Sequence, residues 1–245
     1  MRRHARGTAR RRVHKAIETM RIQVDSIELE GALELPGAEP VGVVLFAHGS
    51  GSSRLSPRNT AVARALRTRG VATLLFDLLT EDEARDRSNV FDMPLLARRL
   101  AAATRSVREH PAARRLPIGY FGASTGAAAA LIAAAGDPDI AAVVSRGGRP
   151  DLAGDALDRV RAPTLLIVGG EDYDVIRLNQ RAFARLRCEK DLQIVAGATH
   201  LFEEPGTLDE VVRLAGDWFV LRLSKLHRSA SEEVSHVSRS QRRRA

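Results

Sequence analysis

The sequence predicts an α/β fold: a mostly parallel twisted sheet with helices on both faces. Short β-branched runs alternate along the chain with longer helical patterns, the signature of strand–helix–strand units. Each short run is almost continuously apolar, as expected of strands buried on both sides. At 44% hydrophobic and 28% charged residues, the 245-residue chain matches a globular domain large enough to bury most of its surface.

The elements follow in order. Alternation of Ile22, Val24, Ile27, Leu29, Leu33 and Leu35 predicts an antiparallel hairpin over 22–35, at the sheet edge. Buried strands are predicted at 41–47, 71–77, 118–122, 141–145, 164–168 and 192–195. Helical periodicity predicts helices at 58–69, 94–109, 125–135, 156–160, 175–186 and 208–223. Right-handed crossovers then bring six loops to the carboxyl edge of the sheet, where open α/β sheets bind ligands. These loops begin near His48, Leu78, Ser124, Arg146, Gly169 and Gly197. About 18 residues separate Arg146 from Thr164, too few for a lid domain, so an open site for small substrates is expected, with segment 80–93 as its partial cover. The chain has no internal repeat, and its one low-complexity stretch is the Ala-rich helix after Ser124.

The net charge of +8 is concentrated at the ends. Residues 1–20 carry +6 and residues 221–245 carry +5, leaving about −3 between them. Residues 1–20 and 226–245 are therefore expected to be basic disordered tails flanking one domain over 21–225, with Met20 as an alternative start. Tails of this kind can hold nucleic acid loosely by charge, but solvated ends are the commoner case, so a nucleic-acid partner is not expected. The single cysteine, Cys188, excludes an intrachain disulfide and a multi-thiolate zinc cage, and suits the cytoplasm. No signal-like apolar run follows Arg2 and Arg3, and no stretch approaches a membrane span. The Arg- and Ala-rich composition is that of a GC-rich bacterial genome.

Gly122-Ala123-Ser124-Thr125-Gly126 is a G-x-S-x-G sequence between a predicted strand and a predicted helix, the context of a nucleophile elbow. Ser124 is the candidate nucleophile; a helix N-cap is its plainer reading. A serine hydroxyl needs a base within hydrogen-bond reach. Of the seven histidines, His4, His14, His227 and His236 fall in or beside the tails, and His110 lies at the wrong sheet edge. His48 and His200 remain, and His200, after the last strand, is the candidate base. A carboxylate must orient that base. The loop Gly169-Gly170-Glu171-Asp172-Tyr173-Asp174 offers Asp172, with Asp174, which also suits a helix cap, and Glu171 as alternatives.

Backbone donors for a developing oxyanion are expected from Thr125 and from the glycine-rich loop after His48, through Ser50. His48 itself is expected to be structural. The same loop lacks the lysine and spacing of a phosphate-binding loop. Arg146 and Arg149 are candidate substrate-binding residues for a carboxylate or phosphate, with a salt bridge to Asp151 or to the acidic segment 81–86 as the alternative.

Together His-Gly-Ser-Gly-Ser-Ser-Arg, Gly-Ala-Ser-Thr-Gly, Ser-Arg-Gly-Gly-Arg-Pro, Gly-Gly-Glu-Asp and Ala-Thr-His-Leu-Phe-Glu-Glu-Pro-Gly resemble the dienelactone-hydrolase-like branch of the α/β hydrolases, over about residues 21–225. The likeness extends to the hydrolase module that some bacteria fuse to a phosphoribosyltransferase domain. It implies an α/β-hydrolase fold and Ser124, Asp172 and His200 as a catalytic triad. Dienelactone hydrolase proper uses cysteine as nucleophile where this chain has Ser124. The expected activity is hydrolysis of a small ester, lactone or thioester through an acyl-enzyme, with no metal or organic cofactor. Acyl transfer or perhydrolysis on the same residues, and a non-catalytic binding role for the fold, are the rival readings.

Overall fold

The computed structural model describes residues 17–242, with side-chain surroundings as far as residue 229. Eight strands form one sheet: β1 Ile17–Val24, β2 Ile27–Glu34, β3 Val43–Ala47, β4 Ala72–Phe76, β5 Ile118–Ala123, β6 Ile140–Arg146, β7 Thr164–Gly169 and β8 Lys190–Val195. Their spatial order is β1-β2-β4-β3-β5-β6-β7-β8. The β1–β2 hairpin joins β4 antiparallel at one edge, and the remaining pairs are parallel. The helices are α1 Pro57–Thr68, α2 Glu81–Arg85, α3 Arg87–Val90, α4 Met93–Glu109, α5 Thr125–Ala135, α6 Tyr173–Arg185 and α7 Thr207–Arg242.

Side-chain alternation splits the core between the two faces of the sheet. Along β3, Val43, Leu45 and Ala47 enter the layer beneath α4, α5 and α6. Val44 and Phe46 enter the layer beneath α1 and α7, where Phe121, Val144, Phe202 and Phe219 also pack. The sheet is thus buried on both sides, which is why its central strands read as continuous apolar runs. On α5 most buried positions are alanine, and the small side chain lets that helix lie close to the sheet.

The structure revises several boundaries. Of the expected tails, residues 1–16 and 243–245 lie outside the described residues. Residues 17–20 belong to β1, because Met20 continues the buried alternation of Ile22 and Val24 and pairs with Gly31. Residues 226–242 continue α7, a helix already nucleated by its packed amino-terminal half, to which each further residue adds one hydrogen bond. Segment 80–93 holds α2 and α3, started by a Thr80/Glu83 capping box and by the Asp86 side chain. The expected helix 156–160 is the end of a 3-10 segment, Pro150–Arg159, interrupted at Gly154, whose φ is 54°. Among the described residues no helix is long and apolar enough to cross a membrane.

Phe219 is fully buried and packs where Gly119 leaves room for it. Phe219→Ala is expected to lower the unfolding free energy by about 3–5 kcal/mol, read from the midpoint shift of a urea titration at constant slope.

Candidate active site

The turn between β5 and α5 sets the geometry. Ser124 has φ 50° and ψ −122°, outside the regions that L-residues favour. Neighbouring glycines permit this. A Cβ on Gly122 would lie 2.5 Å from Ala127 Cα, and one on Gly126 would overlap the Ala47 carbonyl oxygen. Gly49 comes equally close from the loop after β3: its Cβ would be 2.8 Å from Ser124 Cβ. The Ser124 N–H donates to the Arg146 carbonyl at 3.2 Å, and its own carbonyl accepts from Ala127 and Arg149 N–H groups at 3.1 and 3.0 Å. The hydroxyl does not cap α5, so the plainer reading of this serine as an N-cap does not describe it.

Asp172 also stands at a helix start, that of α6, and likewise makes no capping bond. Its carboxylate instead accepts from His200 Nδ1 at 2.6 Å, which assigns the Nδ1–H tautomer and leaves Nε2 as the free ring nitrogen. The other two carboxylates are engaged elsewhere: Asp174, 86% exposed, pairs with Arg177, and Glu171 accepts the Tyr173 hydroxyl at 2.6 Å. The loops bearing acid and imidazole are tied to each other, since Gly170 and Glu171 N–H groups donate to the Val195 and Ala198 carbonyls at 2.8 and 2.9 Å.

Glu204, to which sequence reasoning gave no role, closes the His200 loop. Its carboxylate accepts from the Thr199 N–H at 3.1 Å and the Thr199 hydroxyl at 2.6 Å, and these bonds hold its pKa below the usual glutamate range. The available signal was the pairing of Thr199 with an acid five residues later in the quoted Ala-Thr-His motif. Gly147, with φ 50°, lies against the imidazole: a Cβ there would be 3.7 Å from His200 Cε1. Ser124 and His200 therefore meet the same short turn, 146–147, one through its backbone and one through its ring. Among the described residues no hydrogen bond joins hydroxyl and imidazole.

The two expected oxyanion donors are adjacent. The Ser50 N–H donates to Thr125 Oγ1 at 2.9 Å, so a substrate oxygen would have to displace that hydroxyl. His48 lies behind them, partly buried with 12% of its side chain exposed. Its Nδ1–H donates to the Gly49 carbonyl at 3.0 Å, and its Nε2 accepts the Leu78 N–H at 3.1 Å, joining the loops after β3 and β4. Burial pushes its pKa below 6.5, outweighing the Gly49 carbonyl and the Asp77 carboxylate, which favour the charged form. Its 3.8 Å approach to Asp77 is thus not an ion pair at neutral pH.

A pocket of about 550 Å³ opens beside this loop, lined by Ser50, Arg54, Glu30, Asp77, Leu79 and Glu81 among others. It flanks the serine without being lined by Ser124 or His200. Arg149 is engaged by Asp151 through two bonds of 2.9 and 2.8 Å. Arg146 is not paired with Asp151 or with segment 81–86; it is 6% exposed, with its guanidinium 5.8 Å from the Phe202 ring centre.

The sequence profile of the dienelactone hydrolase family matches residues 34–218. Two strains of Mycobacterium tuberculosis carry a protein named as a candidate phosphoribosyl transferase that is 58% identical over 205 residues. That match covers 83% of this chain and 46% of the relative, so the chain spans about half the length of the curated relatives it matches. The structure is similar to dienelactone hydrolase from Anabaena variabilis, with TM-score 0.82 and 51% identity over 85% of this chain and 98% of that one. It shares its fold with the esterase domain of a Rhodothermus marinus protein, at TM-score 0.69 and 24% identity, over 85% and 100% of the two chains.

The partly buried, neutral His48 sets a pH dependence. Its folded pKa is depressed below 6.5, so between that lowered value and 6.5 the unfolded chain binds a proton that the folded chain does not. The contribution of His48 to stability is present above pH 6.5 and declines as the pH falls through that value. Urea titrations between pH 8 and pH 5 are expected to show this loss, and His48→Gln is expected to reduce it; an identical pH profile in the variant would refute the assignment.

Proposed function

The chain belongs to the dienelactone hydrolase family, and from that premise we propose that it is a serine hydrolase of small carboxylic esters, lactones or thioesters. The observation that carries this reading is the 2.6 Å bond from the His200 imidazole to a carboxylate that forgoes its helix cap, at the sheet edge where Ser124 is held strained.

In the mechanism, Ser124 Oγ attacks the acyl carbon while His200 Nε2 takes the hydroxyl proton, and Asp172 stabilises the imidazolium that results. The carbonyl oxygen, now negative, replaces Thr125 Oγ1 on the Ser50 N–H and takes its second hydrogen bond from the Thr125 N–H. Collapse expels the alkoxide or thiolate, which recovers the proton from His200, and leaves Ser124 acylated. Water then adds with His200 as base, releasing the acid and restoring the serine. Closing the Ser124–His200 hydrogen bond falls to the substrate-bound state, since such bonds often tighten only in the Michaelis complex. Every step uses groups of the chain, with no metal or organic cofactor. The short connection from Arg146 to Thr164 holds no lid domain, which favours small substrates, and the pocket beside Ser50 supplies room for one substituent. A single cysteine, Cys188, suits a cytoplasmic enzyme.

A screen of short-chain esters, lactones and thioesters is expected to find turnover that Ser124→Ala abolishes. Asp172→Asn is expected to lower kcat by about 10⁴-fold, while Asp174→Asn leaves it within a few-fold. A fluorophosphonate probe is expected to label the wild-type chain and not Ser124→Ala. Undiminished turnover in Ser124→Ala, or no labelling of the wild type, would overturn the proposal.

A further inference from the structure

Arg146 is an arginine in the wrong place for stability. It ends β6, and because Val144 points into the layer beneath α1 and α7, so does Arg146, two residues on. There it is 6% exposed and makes no ion pair or hydrogen bond through its guanidinium among the described residues. Its Nε is buried without a partner, and its one specific contact is the Phe202 ring. Burial, reinforced by the nearby charge of Arg58, pushes its pKa down to about 10, which still leaves it protonated at neutral pH. A buried charge of this kind is normally paired.

The neighbouring charges add to the excess instead of relieving it. Arg58 has a buried Nε without a partner and shares only Nη1 with Glu203, at 2.9 Å, and Glu203 is itself mostly exposed. Arg58 also lies in the first turn of α1, which holds no acidic residue. The amino-terminal end of a helix carries positive partial charge, so a cation there is unfavourable and an anion is stabilised. Two guanidinium groups and a helix start thus lie near one another, and among the described residues the one carboxylate paired with either guanidinium is the mostly exposed Glu203, on Arg58 alone. The place is functional by position: the Arg146 carbonyl holds the Ser124 N–H, Gly147 underlies the His200 ring, and Phe202 is two residues beyond that histidine.

We propose that Arg146 and Arg58 form a subsite for an anionic substituent of the substrate. A phosphate group is favoured, because its charge of up to −2 matches two cations where a carboxylate matches one. The subsite rests on the reading of Ser124 as nucleophile and gives that reading a substrate class: an ester whose acyl or leaving group carries a phosphate or carboxylate away from the scissile bond. Arg149, already engaged by Asp151, is left out of it.

Two experiments test this on the full chain. In the first, inorganic phosphate is titrated by calorimetry at constant ionic strength into wild type, Ser124→Ala and Arg146→Met. Saturable binding is expected in the first two and at least ten-fold weaker binding in the third. Arg58→Gln, at a more exposed position, serves where Arg146→Met does not fold, and is expected to weaken binding in the same direction. In the second, kcat/KM is compared for matched esters bearing a phosphate, a carboxylate or a neutral amide at the same position. The wild type is expected to favour the phosphate ester over the amide by at least ten-fold, and Arg146→Met to lower that ratio towards one. A preference for the carboxylate ester instead would keep the subsite and correct its ligand. No phosphate binding by the wild type, or an equal loss on charged and neutral esters, would overturn the proposal. Phosphate binding by the wild type and by Ser124→Ala, with no ester turnover by the wild type, would leave the subsite standing and sink the hydrolase reading, so the two can fail separately.

Discussion

A strand and a helix can be joined through a serine at φ 50° only where nothing larger than hydrogen occupies three neighbouring Cα positions. Gly122 faces Ala127, Gly126 sits under the Ala47 carbonyl, and Gly49 abuts Ser124 itself. A residue held in so sparsely populated a region costs of order 1–3 kcal/mol and persists only when its surroundings over-determine it. Here Arg146 holds the Ser124 amide, and Ala127 and Arg149 hold its carbonyl. The alanines of α5 extend the same constraint, since larger side chains would lift the helix and its first turn away from the sheet. What emerges is a hydroxyl released from capping and placed at the carboxyl edge.

The remaining groups reach that edge through backbone bonds between loops adjacent in space. Parallel pairing of β7 with β8 starts the two loops side by side, and the Gly170 and Glu171 amides fasten them together. Asp172 and His200 are therefore neighbours by construction, and Glu204 steadies the far side of the His200 loop. The two histidines of this edge have different surroundings. His48 is enclosed, with both ring nitrogens bonded, and acts as a neutral strut between the loops after β3 and β4. His200 has one nitrogen on a carboxylate and the other open, the arrangement that a proton carrier requires.

Charge is distributed unevenly around this centre. The pocket beside Ser50 has Glu30, Asp77 and Glu81 in its wall against Arg54, whereas the side nearer His200 holds the Arg58 and Arg146 guanidinium groups. Charges of opposite sign placed apart around a site act mainly on the orientation of what enters, more than on how tightly it is held. An ester with one charged end would have a preferred direction across Ser124, with that end towards Arg146.

The sequence by itself determined the fold class, the order of the buried strands along the chain and the place of the elbow. Each is written in local pattern: continuous apolar runs, helical periodicity, and glycines on both sides of Ser124. For the partner of His200 it favoured Asp172, with Asp174 and Glu171 as alternatives, and only the tertiary structure shows which of the three is bonded to a ring 28 residues away. Strand order, with β4 outside β3, the mutual tethering of the β7 and β8 loops, and the role of Glu204 were likewise decided by contacts between distant segments. Arg146 and Arg149 show the limit most clearly. Three residues apart in one motif, they look equivalent as letters, yet one finds a carboxylate two positions along and the other is carried by strand alternation into an apolar layer. Periodicity records which side of an element a residue takes; it does not record what waits there, and that is supplied by the rest of the chain.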